Sequence, residues 1–133
     1  MAAGLLYLDS SAIVKLVVPE PESVALRRLL RSWHERVSSV VALVEVERAA
    51  RRIGGGAIRR AQTVLQRIGL VELDDEVVRV AASLRPAELR TLDAIHLATA
   101  LSLGKDLGAF CAYDSRLAKT ATALKLIEVL EPA

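Results

Sequence analysis

The sequence predicts an α/β domain in which helices cover both faces of a parallel sheet. Short apolar runs of strand length alternate along the chain with segments whose apolar residues recur at helical spacing. Strands that alternate with helices are typically parallel, because each helix returns the chain to the edge from which the last strand started. The length of 133 residues suits one such core, so we expect residues 1–133 to form a single domain.

The first half of the chain predicts two strands and four helices. Pro19 ends the first helix, the glycines at 54–56 end the third, and Gly69 ends the fourth. On the third helix, the predicted core face carries Leu43, Val46, Ala49, Ala50 and Ile53. The strands are expected at 4–8 and 37–39, and the helices at 11–18, 20–33, 40–52 and 57–68.

The second half continues the alternation with three strands and three helices. Asp74, Asp75 and Glu76 open a helix, where a cap and the helix dipole favour acids. The segment 92–103 is apolar nearly all round, which predicts a buried helix that ends at Gly104. The strands are expected at 70–73, 108–113 and 126–129, and the last helix at 115–124.

Composition excludes several classes of protein. The hydrophobic fraction of 53% is too high for a disordered chain, yet no stretch of about 18 uncharged apolar residues predicts a membrane span. The first 20 residues lack an early Lys or Arg and include Asp9, which is unlike a signal peptide. Cys111 alone forms neither an internal disulfide nor a Cys-rich zinc site. We expect a soluble, cytoplasmic protein that has no contact with a membrane.

The charge distribution indicates a polyanion as partner. Residues 1–67 hold 11 Lys/Arg against 6 Asp/Glu, while residues 68–133 hold 7 against 10. The segment 48–67 contains six arginines and no acid, which is typical of a surface that binds RNA or DNA, although a solvated helix face explains it as well. Because aromatic residues make up only 3%, any nucleic acid is bound through charge and not through stacked rings.

Four acidic residues stand where the pattern predicts burial. Asp9 and Asp114 each follow an apolar strand, Glu45 lies in an apolar run, and Asp93 begins the most apolar helix. An ionised carboxylate is costly to bury unless a partner compensates it. In an open parallel sheet, the carboxyl ends of the strands and the adjacent helix N-termini share one edge, where ligands usually bind. We therefore expect Asp9, Asp93 and Asp114 to converge there.

Converging carboxylates need a counter-charge. Two unit charges 4 Å apart repel by about 4 kcal/mol at an effective dielectric of 20. A divalent metal ion meets this need, and oxygen ligands without cysteine favour Mg²⁺ or Mn²⁺. Such a centre activates water and stabilises the transition state of an in-line attack on a phosphodiester. The four acids thus indicate phosphodiester hydrolysis.

Asp9 and Asp114 also have a purely structural interpretation. Each stands between a strand and a helix, where Asp commonly caps the helix. Ser10 and Ser115, which directly follow them, are candidates either to contact substrate or to cap the same helices.

Asp93 and His96 have ordinary explanations too. A first-turn acid such as Asp93 is favoured by the helix dipole. His96 lies one turn later in an apolar helix, and a histidine there is usually packed and hydrogen-bonded.

The helical wheel leaves Glu45 and Glu47 open as the acid of the third helix. Both lie at the margin of the core face, about 100° to either side of Val46. Glu47 has Arg51 at the i,i+4 position, which favours a surface ion pair and so tilts the choice towards Glu45.

Four segments in order resemble the PIN-domain ribonucleases, and within them the VapC-type toxins of toxin–antitoxin pairs. "LLYLDSSAIVKLVVPEPES" is similar to the first acidic motif and places its acid at Asp9, and "VSSVVALVEVERAARR" is similar to the second, whose Ser-to-Glu interval selects Glu45. "LRTLDAIHLATAL" resembles the third, with Asp93, and "CAYDSRLAKTATALKLIEVLEP" the fourth, with Asp114. The likeness spans nearly the whole chain.

This resemblance implies a three-layer α/β/α sandwich around a short-stranded parallel sheet. It also implies one or two Mg²⁺ or Mn²⁺ ions, with Asp9, Asp93 and Asp114 as metal ligands, and endonucleolytic RNA cleavage that leaves a 5′-phosphate and a 3′-hydroxyl. The implied partners are a second copy of the chain and a cognate VapB-like antitoxin. Two departures, the glycines at 54–56 and Lys125 where the family often has Gly, leave the acids untouched.

The arginines that follow Glu45 then gain a role. Arg48 and Arg52 share its helix face, so we expect them to bind substrate phosphate and to contribute to the salt dependence of RNA binding.

Three other functions remain open on the sequence alone. A PIN-like domain that binds RNA or protein without cutting would not need all four acids. An aspartyl-phosphate phosphotransferase would use Asp9 as nucleophile, but such enzymes usually carry a second Asp where this chain has Ser11. A purely structural helical partner would not need acids in apolar segments.

Overall fold

The computed structural model of the protein describes residues 3–125 and 128–133. Within these residues, a parallel sheet of five strands lies at the centre, and its strand order is β3-β2-β1-β4-β5. The parallel sheet that the sequence predicts is confirmed. The strands are β1 (Leu5–Leu8), β2 (Arg36–Ser39), β3 (Gly69–Val71), β4 (Leu107–Cys111) and β5 (Val129–Leu130).

Helices connect the strands and cover both faces of the sheet. Side chains of β1 alternate between two cores: Leu6 and Leu8 face the core formed with α1 to α4, and Tyr7 faces the core formed with α6 and α7. Because both faces are buried, the fold is a three-layer α/β/α sandwich. The helices are α1 (Ser10–Val17), α2 (Ser23–Leu30), α3 (Val41–Ile53), α4 (Ala57–Leu65), α5 (Asp75–Ser83), α6 (Thr91–Ser102) and α7 (Ser115–Ala123).

The predicted core face of α3 is partly wrong. The buried residues are Ala42, Val46 and Ala50, whereas Leu43 and Ile53 are 38% and 50% exposed. Helices α1 and α4 both pack against α3, and small alanine side chains permit this close approach where leucine or isoleucine would hold the helices apart.

Several element boundaries differ from the prediction; helix α4, for example, ends at Leu65 and not at residue 68. Helix α2 is shorter than 20–33, and Gly69 does not end a helix but begins β3, where it pairs with Val37 of β2. Of the strand predicted at 126–129, residues 126–127 lie outside the described residues. Lys125 has a φ of 54°, in the left-handed region that glycine adopts most readily.

The parallel arrangement brings the ends that carry the acids to one edge. Leu8 of β1 pairs with Cys111 of β4, so the turns that follow these two strands are neighbours. The sheet order shows that the chain continues to β2 on one side of β1 and to β4 on the other. The gap between β1 and β4 is therefore a topological switch point, the usual ligand position of such sheets.

Candidate active site

Asp9 is a buried carboxylate at the end of the central strand. It is only 3% exposed and caps α1: its Oδ1 accepts hydrogen bonds from Ser11 Oγ at 2.7 Å and from the Ala12 amide at 3.0 Å. The Tyr113 amide donates to Ser11 Oγ at 3.0 Å, which ties this turn to the end of β4. Burial raises the pKa of Asp9 to about 6, although the two hydrogen bonds oppose the rise.

Asp114 divides its two oxygens between a structural and an ionic contact. Its Oδ1 caps α7 by accepting from the Arg116 and Leu117 amides at 2.9 and 3.1 Å, and its Oδ2 accepts from Arg90 Nη2 at 2.7 Å. Burial works against ionisation, but the amides and the guanidinium outweigh it and hold the pKa of Asp114 below its usual value. Capping and participation in the site are therefore not alternatives for Asp9 and Asp114, because both residues cap helices at the shared edge.

Glu45 is held by a chain of hydrogen bonds that runs into the core. Ser10 Oγ donates to Glu45 Oε1 at 2.6 Å, and His96 Nε2 lies 2.8 Å from the same oxygen. Since a carboxylate only accepts, His96 Nε2 carries a proton, and the buried Tyr7 hydroxyl lies 2.7 Å from Nδ1, where it can donate. Burial opposes the charge on Glu45, yet the bonds from His96 and Ser10 keep its pKa below the ordinary value.

Arg90 joins the remaining two acids. Its Nε donates to Asp93 Oδ2 at 3.1 Å, and its Nη2 donates to Asp114 Oδ2 at 2.7 Å. The hydrogen bond to Asp93 is the main reason that the pKa of Arg90 is raised further above its usual value. One guanidinium therefore fixes α6 to the start of α7.

Two electrostatic interactions connect these acids with their neighbours. The charge of Asp93 adds to the rise in the pKa of Asp9, and the charge of Arg90 helps to lower that of Glu45. Within residues 3–125 and 128–133, however, no three His, Cys, Asp or Glu side chains stand close enough to share a metal ion. The acids are assembled at one edge, while Arg90 occupies the space between two of them.

The residues fit a hard divalent cation in their chemistry. The donors are carboxylate oxygens, which Mg²⁺ and Mn²⁺ prefer. Both hydrogen bonds that Asp9 accepts from described residues end on Oδ1, which leaves Oδ2 available. A cation already bridges Asp93 and Asp114 in the form of the Arg90 guanidinium, so positive charge is stable at this position.

The structure places the serines and arginines expected at the site in different surroundings. Ser10 does not cap α1, because Asp9 does, and its hydroxyl instead fixes Glu45. Ser115 is exposed in the first turn of α7, whose cap is Asp114. Arg48 and Arg52 are exposed on α3, as expected of residues that bind a phosphate backbone.

Sequence reasoning did not identify Arg90, whereas its expectation for His96 is confirmed. His96 is packed and hydrogen-bonded, and its partners are Tyr7, Ser10 and Glu45. Arg90 and His96 lie three residues before and after Asp93, which is the spacing of neighbours on one helix face and the signal that could have identified them.

Glu45 and Glu47 differ in their contacts, but not through the ion pair that the sequence predicts. Glu45 contacts His96, whereas an ion pair of Glu47 with Arg51 is not among those formed by the described residues.

A cavity of about 1340 Å³ lies away from the acids. Its wall is mostly apolar and is formed by α5, the segment 84–89, α6 and the end of α7.

Among the described residues, no helix has the length and apolar character that crossing a membrane requires.

Comparison with known proteins identifies the family. The family model for the PIN domain matches residues 6–123. Ribonuclease VapC46 of Mycobacterium tuberculosis is 54% identical over 119 residues, which cover 90% of this chain and 92% of that protein.

Two solved structures share the fold. The crystal structure of Mycobacterium tuberculosis VapC20, described as a toxin that cleaves the sarcin–ricin loop, superposes with a TM-score of 0.72 at 18% identity and covers 96% of this chain and 99% of that one. VapBC-1 of nontypeable Haemophilus influenzae gives a TM-score of 0.66 at 13% identity, with coverage of 96% and 97%. With four acids at one edge of a parallel sheet and these relatives, the chain belongs to the PIN-domain family, in its VapC branch.

Proposed function

We propose that this protein is an endoribonuclease that depends on Mg²⁺ or Mn²⁺ and acts as the toxin of a VapBC-type toxin–antitoxin pair. The proposal is carried by the placement of Asp9 and Asp114, which cap helices at the edge shared by β1 and β4, and by Arg90, which joins Asp114 to Asp93. The printed name of the 54% identical relative, a ribonuclease, supports RNA as the substrate.

Asp9, Asp93 and Asp114 are the proposed metal ligands. When bound there, the metal ion supplies an activated water and positive charge against the phosphodiester in the transition state. The turn between β1 and α1 fixes Asp9 through Ser11 and Ala12, and the first turn of α7 fixes Asp114 through two amides. These contacts hold Oδ1 of each side chain. Oδ2 of Asp9 accepts no hydrogen bond from the described residues, whereas Oδ2 of Asp114 already binds the Arg90 guanidinium.

Glu45 is the proposed proton acceptor. Ser10 and His96 both bind Oε1, so Oε2 is the atom that remains to take the proton of the attacking water. The lowered pKa of Glu45 keeps the carboxylate ionised at neutral pH, as a base must be. His96 and Ser10 are positioning residues in this scheme, because they act on substrate only through Glu45.

RNA approaches along the basic surface of α3. Arg48 and Arg52 lie one and two turns after Glu45 on the same helix, so a backbone bound there leads towards the acids. Ser115, exposed beside Asp114, is a further candidate for substrate contact. Hydrolysis of the scissile bond is proposed to leave a 5′-phosphate and a 3′-hydroxyl.

The partners follow from the family. Structures of similar fold include a VapBC complex, and we propose a VapB-like antitoxin as the partner of this chain. A homodimer and a place of action in the cytoplasm, where the RNA substrate is found, complete the proposal.

RNA cleavage tests the proposed function directly. Total RNA incubated with the purified protein is expected to be cut with Mg²⁺ or Mn²⁺ and not with chelator, and Asp93→Asn should lower the rate at least about 100-fold. Asp75→Asn is the matched control. Asp75 lies in the first turn of α5, just as Asp93 lies in the first turn of α6, but Asp75 is exposed and away from the site. Cleavage by Asp93→Asn at the wild-type rate would refute the site, and metal binding without any cleavage would favour a non-catalytic PIN-like domain.

The raised pKa of Asp9 predicts that the stability of the protein depends on pH in metal-free buffer. Because its pKa is about 6 in the folded state and about 4 when unfolded, the folded state binds the proton more tightly, and stability falls as the pH rises from 4 to 6. Asp9→Asn keeps the oxygen that caps α1 but does not titrate. Urea unfolding followed by Trp33 fluorescence should therefore show a gain of up to about 3 kcal/mol above pH 6 and none at pH 4. An equal difference at both pH values would contradict the assignment.

Arg48 and Arg52 predict the salt dependence of RNA binding. Replacing both by Gln should flatten the slope of log affinity against log salt by about 1.4, since each phosphate contact to a single strand contributes about 0.7. Binding is measured in chelator, so that no RNA is cut. Arg27→Gln with Arg28→Gln makes the same charge change on α2 and should leave the slope nearly unchanged. Equal slopes for the two double variants would show that α3 is not the RNA surface.

A further inference from the structure

The guanidinium of Arg90 stands where the proposed metal ligands must receive a cation. It contacts Oδ2 of Asp93 at 3.1 Å and Oδ2 of Asp114 at 2.7 Å. Asp114 has Oδ1 engaged by two helix amides, so Oδ2 is the oxygen left for any cation. An incoming metal ion and Arg90 therefore require the same atom.

We propose that Arg90 is a built-in counter-ion that competes with the divalent metal for Asp93 and Asp114 and so sets the metal concentration at which the site fills. The inference rests on the proposed metal centre and adds a residue that opposes its occupation. While the guanidinium holds both carboxylates, it compensates part of their charge, so this edge of the sheet carries less repulsion without metal.

The attachment of Arg90 allows it to leave. Its backbone is fixed, because it caps α6 and its carbonyl accepts from the Ala94 amide at 2.9 Å. Its side chain, in contrast, is 62% exposed and extends from the end of an exposed segment, 85–88. The two ion pairs are accessible to water, and such pairs are weak, so rotation of the side chain alone can break them.

Two effects oppose each other in the proposed exchange. A divalent ion brings twice the charge of the guanidinium and also meets Asp9, with which Arg90 forms no ion pair in the described part of the chain. Against this gain, the metal must displace a cation that is covalently tethered and therefore present at high effective concentration. Removing the tethered cation should make metal binding tighter.

Metal affinity tests the competition without recourse to activity. Mn²⁺ is titrated by calorimetry into the wild type, Arg90→Gln and Arg116→Gln at pH 7.5 without RNA. Arg116→Gln removes the same charge beside Asp114, but the Arg116 side chain forms no ion pair among the described residues. We expect the dissociation constant of Arg90→Gln to fall about fivefold to tenfold and that of Arg116→Gln to stay within about twofold of wild type.

Thermal unfolding gives a second readout. In chelator, Arg90→Gln should unfold at a lower temperature than wild type, because Asp93 and Asp114 lose their counter-charge. The rise in unfolding temperature at a fixed Mn²⁺ concentration should be larger for the variant, because tighter binding stabilises the folded state more.

The outcomes separate this inference from the proposed function. Wild-type binding of Mn²⁺ with an unchanged dissociation constant in Arg90→Gln would overturn the competition and leave the metal centre standing. Weaker binding in Arg90→Gln would also overturn it, since Arg90 would then support the ligand geometry. If the wild type binds no Mn²⁺ at millimolar concentration, the metal centre itself fails, and the inference fails with it.

Discussion

Repulsion among carboxylates at the carboxyl edge of the sheet is the constraint on which the rest of the site depends. Two such charges 4 Å apart repel by about 4 kcal/mol at an effective dielectric of 20, comparable to a sizeable part of the stability of a small domain. The protein counters this repulsion in two ways. Helix amides bind Oδ1 of Asp114, and Arg90 bridges Asp93 and Asp114.

The fold explains why the acids meet. Parallel strands end at the same edge, and the helices that follow them begin there, with their amides unpaired and directed at the acids. Asp9 and Asp114 use this arrangement directly, since each caps the helix that it precedes. The same contact that fixes the backbone turn thereby orients a carboxylate towards the switch point. In each residue, one carboxylate oxygen caps the helix, and the other is the oxygen proposed to contact a cation.

Glu45 is oriented by side chains and not by the amides of a helix terminus. Its helix has no side-chain cap, and its direction depends on the hydrogen bonds from Ser10 and His96. His96 is in turn held by the hydroxyl of the fully buried Tyr7, so the position of the proposed base is coupled to the packing of the central strand. This coupling explains why a histidine occupies an otherwise apolar helix.

The sequence was sufficient to locate the four acids and the parallel sheet. Asp9, Glu45, Asp93 and Asp114 were detectable because each interrupts an apolar pattern, and that pattern follows from burial alone. The buried face of α3 was not predictable, because the close approach of α1 and α4 favours alanine over the more hydrophobic Leu43.

The role of Arg90 was hidden for a related reason. An arginine before a helix is ordinary in sequence, and its bridge to Asp114 joins residues 24 positions apart, which no local pattern reveals. The proposed ligands therefore follow from the sequence, whereas the proposed counter-charge of Arg90 follows from the tertiary structure.

The most direct measurement is the anomalous diffraction of crystals grown with Mn²⁺. The account predicts a strong peak beside Asp9, Asp93 and Asp114, and the Arg90 guanidinium moved away from Asp114. A peak elsewhere, with Arg90 still bridging Asp93 and Asp114, would contradict the claim that this edge of the sheet is the metal-dependent catalytic centre.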